Sequence, residues 1–140
     1  MEFFLKRFDH VQLACPKSSE EQAREFFVGI FGFEEIEKPA NLRARGGVWF
    51  TCNDIIVHMG VEEPFSPARK AHPAFEVEGL LSLRRHLDER NVDFIDDADL
   101  PGADRIYVND PFGNRLEFLE WHQKKNPTGG FFLVCYCFVI

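Results

Sequence analysis

The sequence lacks several features that mark common functional classes. Its 140 residues carry 16 Lys and Arg against 23 Asp and Glu, and this net charge of −7 leaves no basic stripe for nucleic acid. No apolar run approaches the length of about 18 residues that a membrane-spanning helix needs, and the apolar run near the N-terminus is too short for a signal peptide. We therefore expect a cytoplasmic protein that binds neither nucleic acid nor membrane.

Cysteine is scarce, and its spacing excludes two kinds of site. The four cysteines form no CxxC pair, which argues against a zinc knuckle or a thioredoxin-type centre. Cys15 and Cys52 lie in strand-like segments and are predicted to be buried free thiols. Phenylalanine, by contrast, is abundant: 16 residues predict a core rich in aromatic packing.

Hydrophobic periodicity predicts the same supersecondary unit twice. The order β-α-β-β-β is found near residues 8–60 and again near 71–121, joined by a proline-containing linker at 62–70. Within the first unit, Ser18 and Glu21 fit a capping box, and 42–52 is predicted to be one strand. The expected fold is α+β, a single domain over residues 1–122 in which the paired modules form a cup-shaped mixed sheet.

An apolar tail follows at 123–140. Its last ten residues, 131–140, are all apolar and too few to span a bilayer. Their composition is compatible with an added strand, a dimer contact or an aggregation-prone segment.

The stretch from Val108 to Glu120 organises the second module. A turn built on residues 109–114 separates two strands, and in the return strand Leu116 and Phe118 share one face while Glu117 points to the other. A carboxylate projected into a folded domain needs a cation, a metal or solvent as its partner.

Two histidines stand at matching places and supply candidates for that partner. His10 and Ile56 are 46 positions apart, and His72 and Glu117 are 45 apart. We expect His10, His72 and Glu117 to converge on a cleft, where two imidazoles and a carboxylate suit Fe, Mn, Ni, Co or Zn and leave positions open for substrate. The alternative is that each histidine has only a structural role.

Four segments together resemble the vicinal oxygen chelate superfamily, which includes glyoxalases, bleomycin resistance proteins and extradiol dioxygenases. These segments are Asp9-His10-Val11, residues 28–33, residues 71–75 and residues 110–117. The resemblance implies paired βαβββ modules around a divalent metal held by His10, His72 and Glu117. Glyoxalase I adds a glutamate on the fourth strand, at a position we match to Ile56. His58, on the same strand face, is the predicted extra acid–base group beside Glu117. The alternative is a partly exposed histidine at a strand end.

Three further side chains are predicted to line the cleft and contact substrate: Trp49, Arg105 and Tyr107. For Trp49 the alternative is a core role, and for Arg105 an exposed one. The resemblance implies a homodimeric, metal-dependent lyase or isomerase acting on a small oxygenated molecule. The alternatives are an extradiol-type dioxygenase, a fosfomycin-type transferase, and a non-catalytic ligand-binding protein of the bleomycin-resistance type.

Overall fold

A computed structural model describes residues 2–122, and the tail at 123–140 lies outside the described residues, together with Cys135 and Cys137. The described chain folds as two βαβββ modules, which confirms the predicted α+β class. Module 1 comprises β1 (Val11–Cys15), α1 (Glu20–Phe27), β2 (Glu34–Ile36), β3 (Val48–Cys52) and β4 (Ile55–Val61). Module 2 comprises β5 (Ala74–Glu76), α2 (Leu80–Glu89), β6 (Ile95–Asp97), β7 (Ala103–Asn109) and β8 (Arg115–Trp121).

Each module forms one four-stranded sheet with the same strand order. The orders are β1-β4-β3-β2 and β5-β8-β7-β6, and in both the first strand runs parallel to the last. β1 and β5 are therefore edge strands. No helix within residues 2–122 is long and apolar enough to cross a membrane.

Aromatic rings fill the space between the sheets and the helices, as the phenylalanine content predicts. Phe27 of α1 stacks on Phe50 of β3 with ring centres 5.1 Å apart, and both side chains are fully buried. In module 2, Phe75 and Phe118 pack together with ring centres 5.2 Å apart. Such aromatic pairs bury large apolar areas and set how the layers pack.

The two modules are joined by contacts distant in sequence. Phe31, just after α1, stacks on Phe118 of β8 at 4.8 Å between ring centres. The side-chain amide of the fully buried Asn114 donates to the carbonyl of Ala14 at 2.8 Å and accepts from the backbone N–H of Ala68 at 3.0 Å. A buried amide with satisfied donors and acceptors holds its neighbours in one geometry.

Two local predictions are wrong. Ser18 and Glu21 form no capping box, because α1 begins at Glu20 and Ser19 directs its hydroxyl to the carbonyl of Pro16. The segment 42–52 is not one strand. A 3₁₀ helix covers Ala40–Arg45, and two glycines of positive φ separate it from β3.

His86 of α2 is partly buried and links the two modules. Its Nε2 lies 2.7 Å from the carbonyl oxygen of Ile30, so it ties α2 to the segment after α1. Cys15 is buried as predicted, while Cys52 is only partly buried, and neither forms a disulfide within the described residues.

Candidate active site

The centre of the site is a buried contact between His72 and Glu117. Glu117 lies on β8 with only 6 % of its surface exposed, facing away from the layer that holds Leu116 and Phe118. Its Oε2 is 2.9 Å from Nε2 of His72, which lies two positions before the start of β5. The carboxylate predicted to need a partner therefore has one.

The orientation of His72 is set by the backbone. Its Nδ1 lies 2.7 Å from the carbonyl oxygen of Lys70, a contact that requires a proton on Nδ1. Nε2 is then directed at Glu117, and something positive must sit between these two atoms: a proton or a metal ion. Backbone orientation of a ligating imidazole through its second nitrogen is the usual arrangement in metal sites.

Arg105 contacts the other oxygen of Glu117. Its Nη1 lies 3.4 Å from Glu117 Oε1, and its Nη2 lies 3.1 Å from Asp97 Oδ1. Tyr107, two residues along β7, meets the ring of His72 edge-on with centres 5.5 Å apart. Arg105 and Tyr107 thus share the inward face that sequence alternation predicted.

Module 1 brings a different group together. Trp49 stacks on His58 at 3.8 Å between ring centres, and His58 stacks on His10 at 4.0 Å. Asp9 lies 2.7 Å from Nδ1 of His10, which leaves Nε2 of His10 as the nitrogen able to coordinate. Burial lowers the pKa of His58 below its ordinary value, and the neighbouring His10 lowers this pKa further. His58 is therefore a neutral imidazole at pH 7.

Strand register corrects one predicted equivalence. Glu117 lies opposite Ala74 and Tyr107, whereas the residue of module 1 opposite Gln12 and Trp49 is His58. Gln12 and Ala74 each stand two positions after their module's histidine. The counterpart of Glu117 in module 1 is thus His58, not Ile56, and Ile56 instead corresponds to Arg115.

A cavity of about 640 Å³ lies between the edge strands of the two modules. His10 and Ile56 line it from module 1, and His72 and Ala74 line it from module 2. Both candidate ligand histidines therefore face one cavity. Within residues 2–122, however, no three His, Cys, Asp or Glu side chains stand close enough together to hold a metal ion.

The sequence matches one protein family model over most of its length. The model of the "Glyoxalase/Bleomycin resistance protein/Dioxygenase superfamily" matches residues 7–118. The chain belongs to this superfamily. No curated protein sequence matches it.

Solved structures place the chain among glyoxalase-superfamily folds. A glyoxalase family protein from Bacillus anthracis is 45% identical, with a TM-score of 0.83 over 86% of this chain and 99% of its own. A fosfomycin resistance protein from Listeria monocytogenes is 15% identical, with a TM-score of 0.66 over 84% of this chain and 94% of its own. Lactoylglutathione lyase from Agrobacterium tumefaciens is 16% identical, with a TM-score of 0.66 over 83% of this chain and 94% of its own. The last two likenesses show the fold alone.

Members of the glyoxalase superfamily commonly use divalent metals, and part of this site fits one. Metal bonds of about 2.0–2.2 Å to nitrogen and oxygen put two neighbouring ligands at right angles about 3 Å apart. The separation of 2.9 Å between His72 Nε2 and Glu117 Oε2 agrees with that spacing. These two residues therefore suit adjacent ligand positions, whereas His10 does not form a three-ligand cluster with them in the part of the chain that the structure describes.

Arg115 lies on the same face of β8 as Glu117. Its guanidinium carbon lies 5.1 Å from the centre of the Tyr107 ring, on the face of the sheet that carries Glu117. The alternation along β8 predicts this shared face from sequence, since Arg115 and Glu117 are two positions apart.

Proposed function

We propose that this chain is a metal-dependent, glyoxalase-like enzyme of the lyase or isomerase type, acting on a small oxygenated molecule. The observation that carries the proposal is the buried contact of 2.9 Å between His72 and Glu117, with His72 oriented by the carbonyl of Lys70. Both nitrogen and oxygen donors suit Fe, Mn, Ni, Co or Zn. The further parts of the proposal are a homodimer and a cytoplasmic location.

Each residue has a distinct role in this proposal. His10, His72 and Glu117 hold the metal ion, which when bound polarises neighbouring oxygens of the substrate. His58 is neutral and buried, so it can accept a proton from the substrate and return it, and Glu117 is the second proton carrier. Arg105 orients Glu117 on the substrate side.

Aromatic side chains form the proposed substrate walls. Trp49 covers one side of His58, and Tyr107 stands edge-on to His72, at equivalent register positions of the two modules. A flat or short substrate would lie between these two rings.

The third ligand requires a change from the described arrangement. His10 must leave its stack on His58, or a second copy of the chain must supply the histidine. Exposed apolar side chains near the N-terminus support self-association: Phe3, Phe4, Leu5 and Phe8 are 68 to 97% exposed. Single surface apolar residues are ordinary, but a cluster of them is typical of an interface.

A metal-free binding protein of the bleomycin-resistance type is the second candidate. The observation in its favour is that the described chain does not assemble three metal ligands. Extradiol dioxygenase and fosfomycin-type transferase activities would use the same three ligands, so the identity of the metal discriminates them from a lyase or isomerase.

Metal analysis of protein purified without chelator tests the proposal. We expect one metal ion per active site in the wild type, its loss in His72→Ala and in Glu117→Gln, and full retention in His122→Ala. His122 is an exposed histidine paired with Asp104, so its variant controls for the loss of any imidazole. If the wild type contains no metal and takes up none when offered each of the five ions, the enzyme hypothesis is wrong and the binding protein replaces it.

Mixing two inactive variants locates the third ligand. His10→Ala and Glu117→Gln would be unfolded together, refolded together and assayed for metal. Recovery of metal means that one site takes His10 and Glu117 from different copies. No recovery, with a dimer still measured by light scattering, means that each chain builds its own site.

A further inference from the structure

The inward face of module 2 carries two arginines in different electrostatic states. Arg105 forms ion pairs with Asp97 at 3.1 Å and with Glu117 at 3.4 Å. Arg115 forms no ion pair with a carboxylate within 4.0 Å among residues 2–122. The guanidinium groups of both arginines lie over the ring of Tyr107, at 5.4 and 5.1 Å from its centre. A partly buried arginine without an anion is available to a ligand.

The position of Arg115 is fixed by the backbone. Its N–H donates to the carbonyl of Ala68 at 2.9 Å, and the preceding residue, Asn114, is fully buried. The backbone of Arg115 is therefore anchored at both Ala68 and Asn114, and its side chain begins on the same face as Glu117, two positions away. Tyr107 lies next to both the guanidinium, at 5.1 Å, and the His72 ring, at 5.5 Å.

Module 1 has no such group at the matching place. The register makes Ile56 the counterpart of Arg115, and Trp49 the counterpart of Tyr107. The guanidinium therefore has no counterpart at the equivalent position of module 1, a difference that would orient an unsymmetrical ligand.

The geometry of the guanidinium favours a carboxylate. A guanidinium presents its N–H donors in a planar fork, and a carboxylate binds this fork through two parallel hydrogen bonds. Arg115 has no carboxylate within 4.0 Å among residues 2–122, so its donors are open to one from a ligand.

We propose that Arg115 is the receptor for a carboxylate of the substrate, which makes a small 2-oxo or 2-hydroxy carboxylic acid the substrate class. This proposal rests on the proposed function in placing the reacting oxygens beside His72 and Glu117. Tyr107 lies between Arg115 and His72. The substrate carboxylate would therefore bind Arg115, while the oxygen on the adjacent carbon of the substrate points to His72.

Pyruvate and pyruvamide test this pairing, because they share the neighbouring oxygens and differ in charge. Calorimetric titrations with the purified full chain, both as isolated with its metal and after metal removal, would compare pyruvate, pyruvamide and inorganic phosphate. In the wild type we expect pyruvate to bind about 10- to 100-fold more tightly than pyruvamide. Arg115→Gln should bring this ratio to about one, while Arg115→Lys keeps part of it.

Arg85→Gln is the matched control, because Arg85 is an exposed arginine of α2 whose removal leaves the inward face unchanged. Metal content and melting temperature show whether each variant is folded. The NMR shift of the Arg115 Nε–H signal on addition of pyruvate needs no folded Gln variant, and we expect it to move with pyruvate and not with pyruvamide.

The outcomes separate the two proposals. Metal retained with equal binding of pyruvate and pyruvamide overturns the role of Arg115 and leaves the enzyme proposal standing. No metal, with a ratio that depends on Arg115, overturns the enzyme and leaves a carboxylate-binding protein. Binding of neither compound, tighter binding of phosphate, or an unchanged ratio in Arg115→Gln overturns the carboxylate receptor.

Discussion

The inward faces of the two modules have the same strand order and opposite chemistry. Module 1 presents a stack of three rings, those of Trp49, His58 and His10, with ring centres 3.8 and 4.0 Å apart. Module 2 presents a charged group in which Glu117 contacts His72 and Arg105. The duplicated fold supplies equivalent positions, and the residues at those positions give module 2 an ionic group and module 1 a stack of rings.

Replacing either member of the equivalent pair, Glu117 or His58, gives the largest expected effect. Glu117→Gln keeps the shape of the side chain and removes its charge, so we expect loss of metal and a fall in kcat of at least about 100-fold. His58→Gln should lower kcat by about 100-fold while metal content stays at the wild-type level. Metal analysis beside steady-state kinetics distinguishes these results, and equal metal loss in both variants would contradict the division of roles.

The joint between the modules is the next most sensitive place. Asn114→Ala removes hydrogen bonds to Ala14, Ala68 and Asp110 inside the protein, so we expect a loss of about 3 kcal/mol in the free energy of unfolding. Urea denaturation measures it. Asn109→Ala, at an exposed position of β7, is the control and should change stability by less than about 0.5 kcal/mol. Similar losses in both variants would show that Asn114 does not couple the modules.

Two carboxylates that bind backbone N–H groups allow a smaller, pH-dependent comparison. Glu120 accepts from Gly79 at 2.8 Å and from Leu80 at 3.0 Å, and these contacts hold its pKa below the ordinary value. Glu20 accepts from Gly47 at 2.9 Å, which likewise lowers its pKa.

A carboxyl whose pKa is lowered by folding stabilises the fold above its ordinary pKa of about 4.3, and this stabilisation is lost as the pH falls through the folded-state pKa. At pH 7 we therefore expect Glu120→Gln to cost about 1 kcal/mol and Glu20→Gln less, because Glu20 binds one N–H and Glu120 two. Denaturation at pH 7 and pH 3 should show that the stability difference between the wild type and each variant is smaller at pH 3. A stability difference that is larger at pH 3 would contradict the lowered pKa values of Glu120 and Glu20.

The aromatic pair at equivalent register positions gives the smallest expected effect. Trp49→Phe and Tyr107→Phe each preserve a ring while shortening it or removing a hydroxyl. We expect KM to rise a few-fold in each and kcat to change little, since neither side chain carries a proton in the proposed chemistry. A large fall in kcat in Tyr107→Phe alone would give the hydroxyl a chemical role.

The repeat and the direction of inward side chains could be predicted from sequence because both depend on local alternation. Alternation along β8 placed Glu117 opposite the face of Leu116 and Phe118, and the structure buries all three. The same reasoning put Arg105 and Tyr107 on one inward face. The metal site built from His10, His72 and Glu117 stays a prediction.

Features that depend on distant partners could not be predicted. Equal counting from the two histidines matched Ile56 to Glu117, but β1 pairs with β4 at an offset of 46 residues (Val11 with Val57) and β5 with β8 at 43 (Ala74 with Glu117). The contact of His86 with the carbonyl of Ile30 could not be predicted, because the two residues are 56 positions apart. The 3₁₀ helix before β3 was not predicted, because residues 42–45 alternate apolar and charged side chains as a strand does.

The contact between Asn114 and Ala14 spans 100 residues of chain, and this separation has a consequence for synthesis. While the ribosome is still producing module 2, β1 has its partner β4 on one side and an unprotected edge on the other. Such an edge can pair with another nascent chain. We therefore expect chains truncated before residue 114 to aggregate more readily than the full protein, even though module 1 is complete in them.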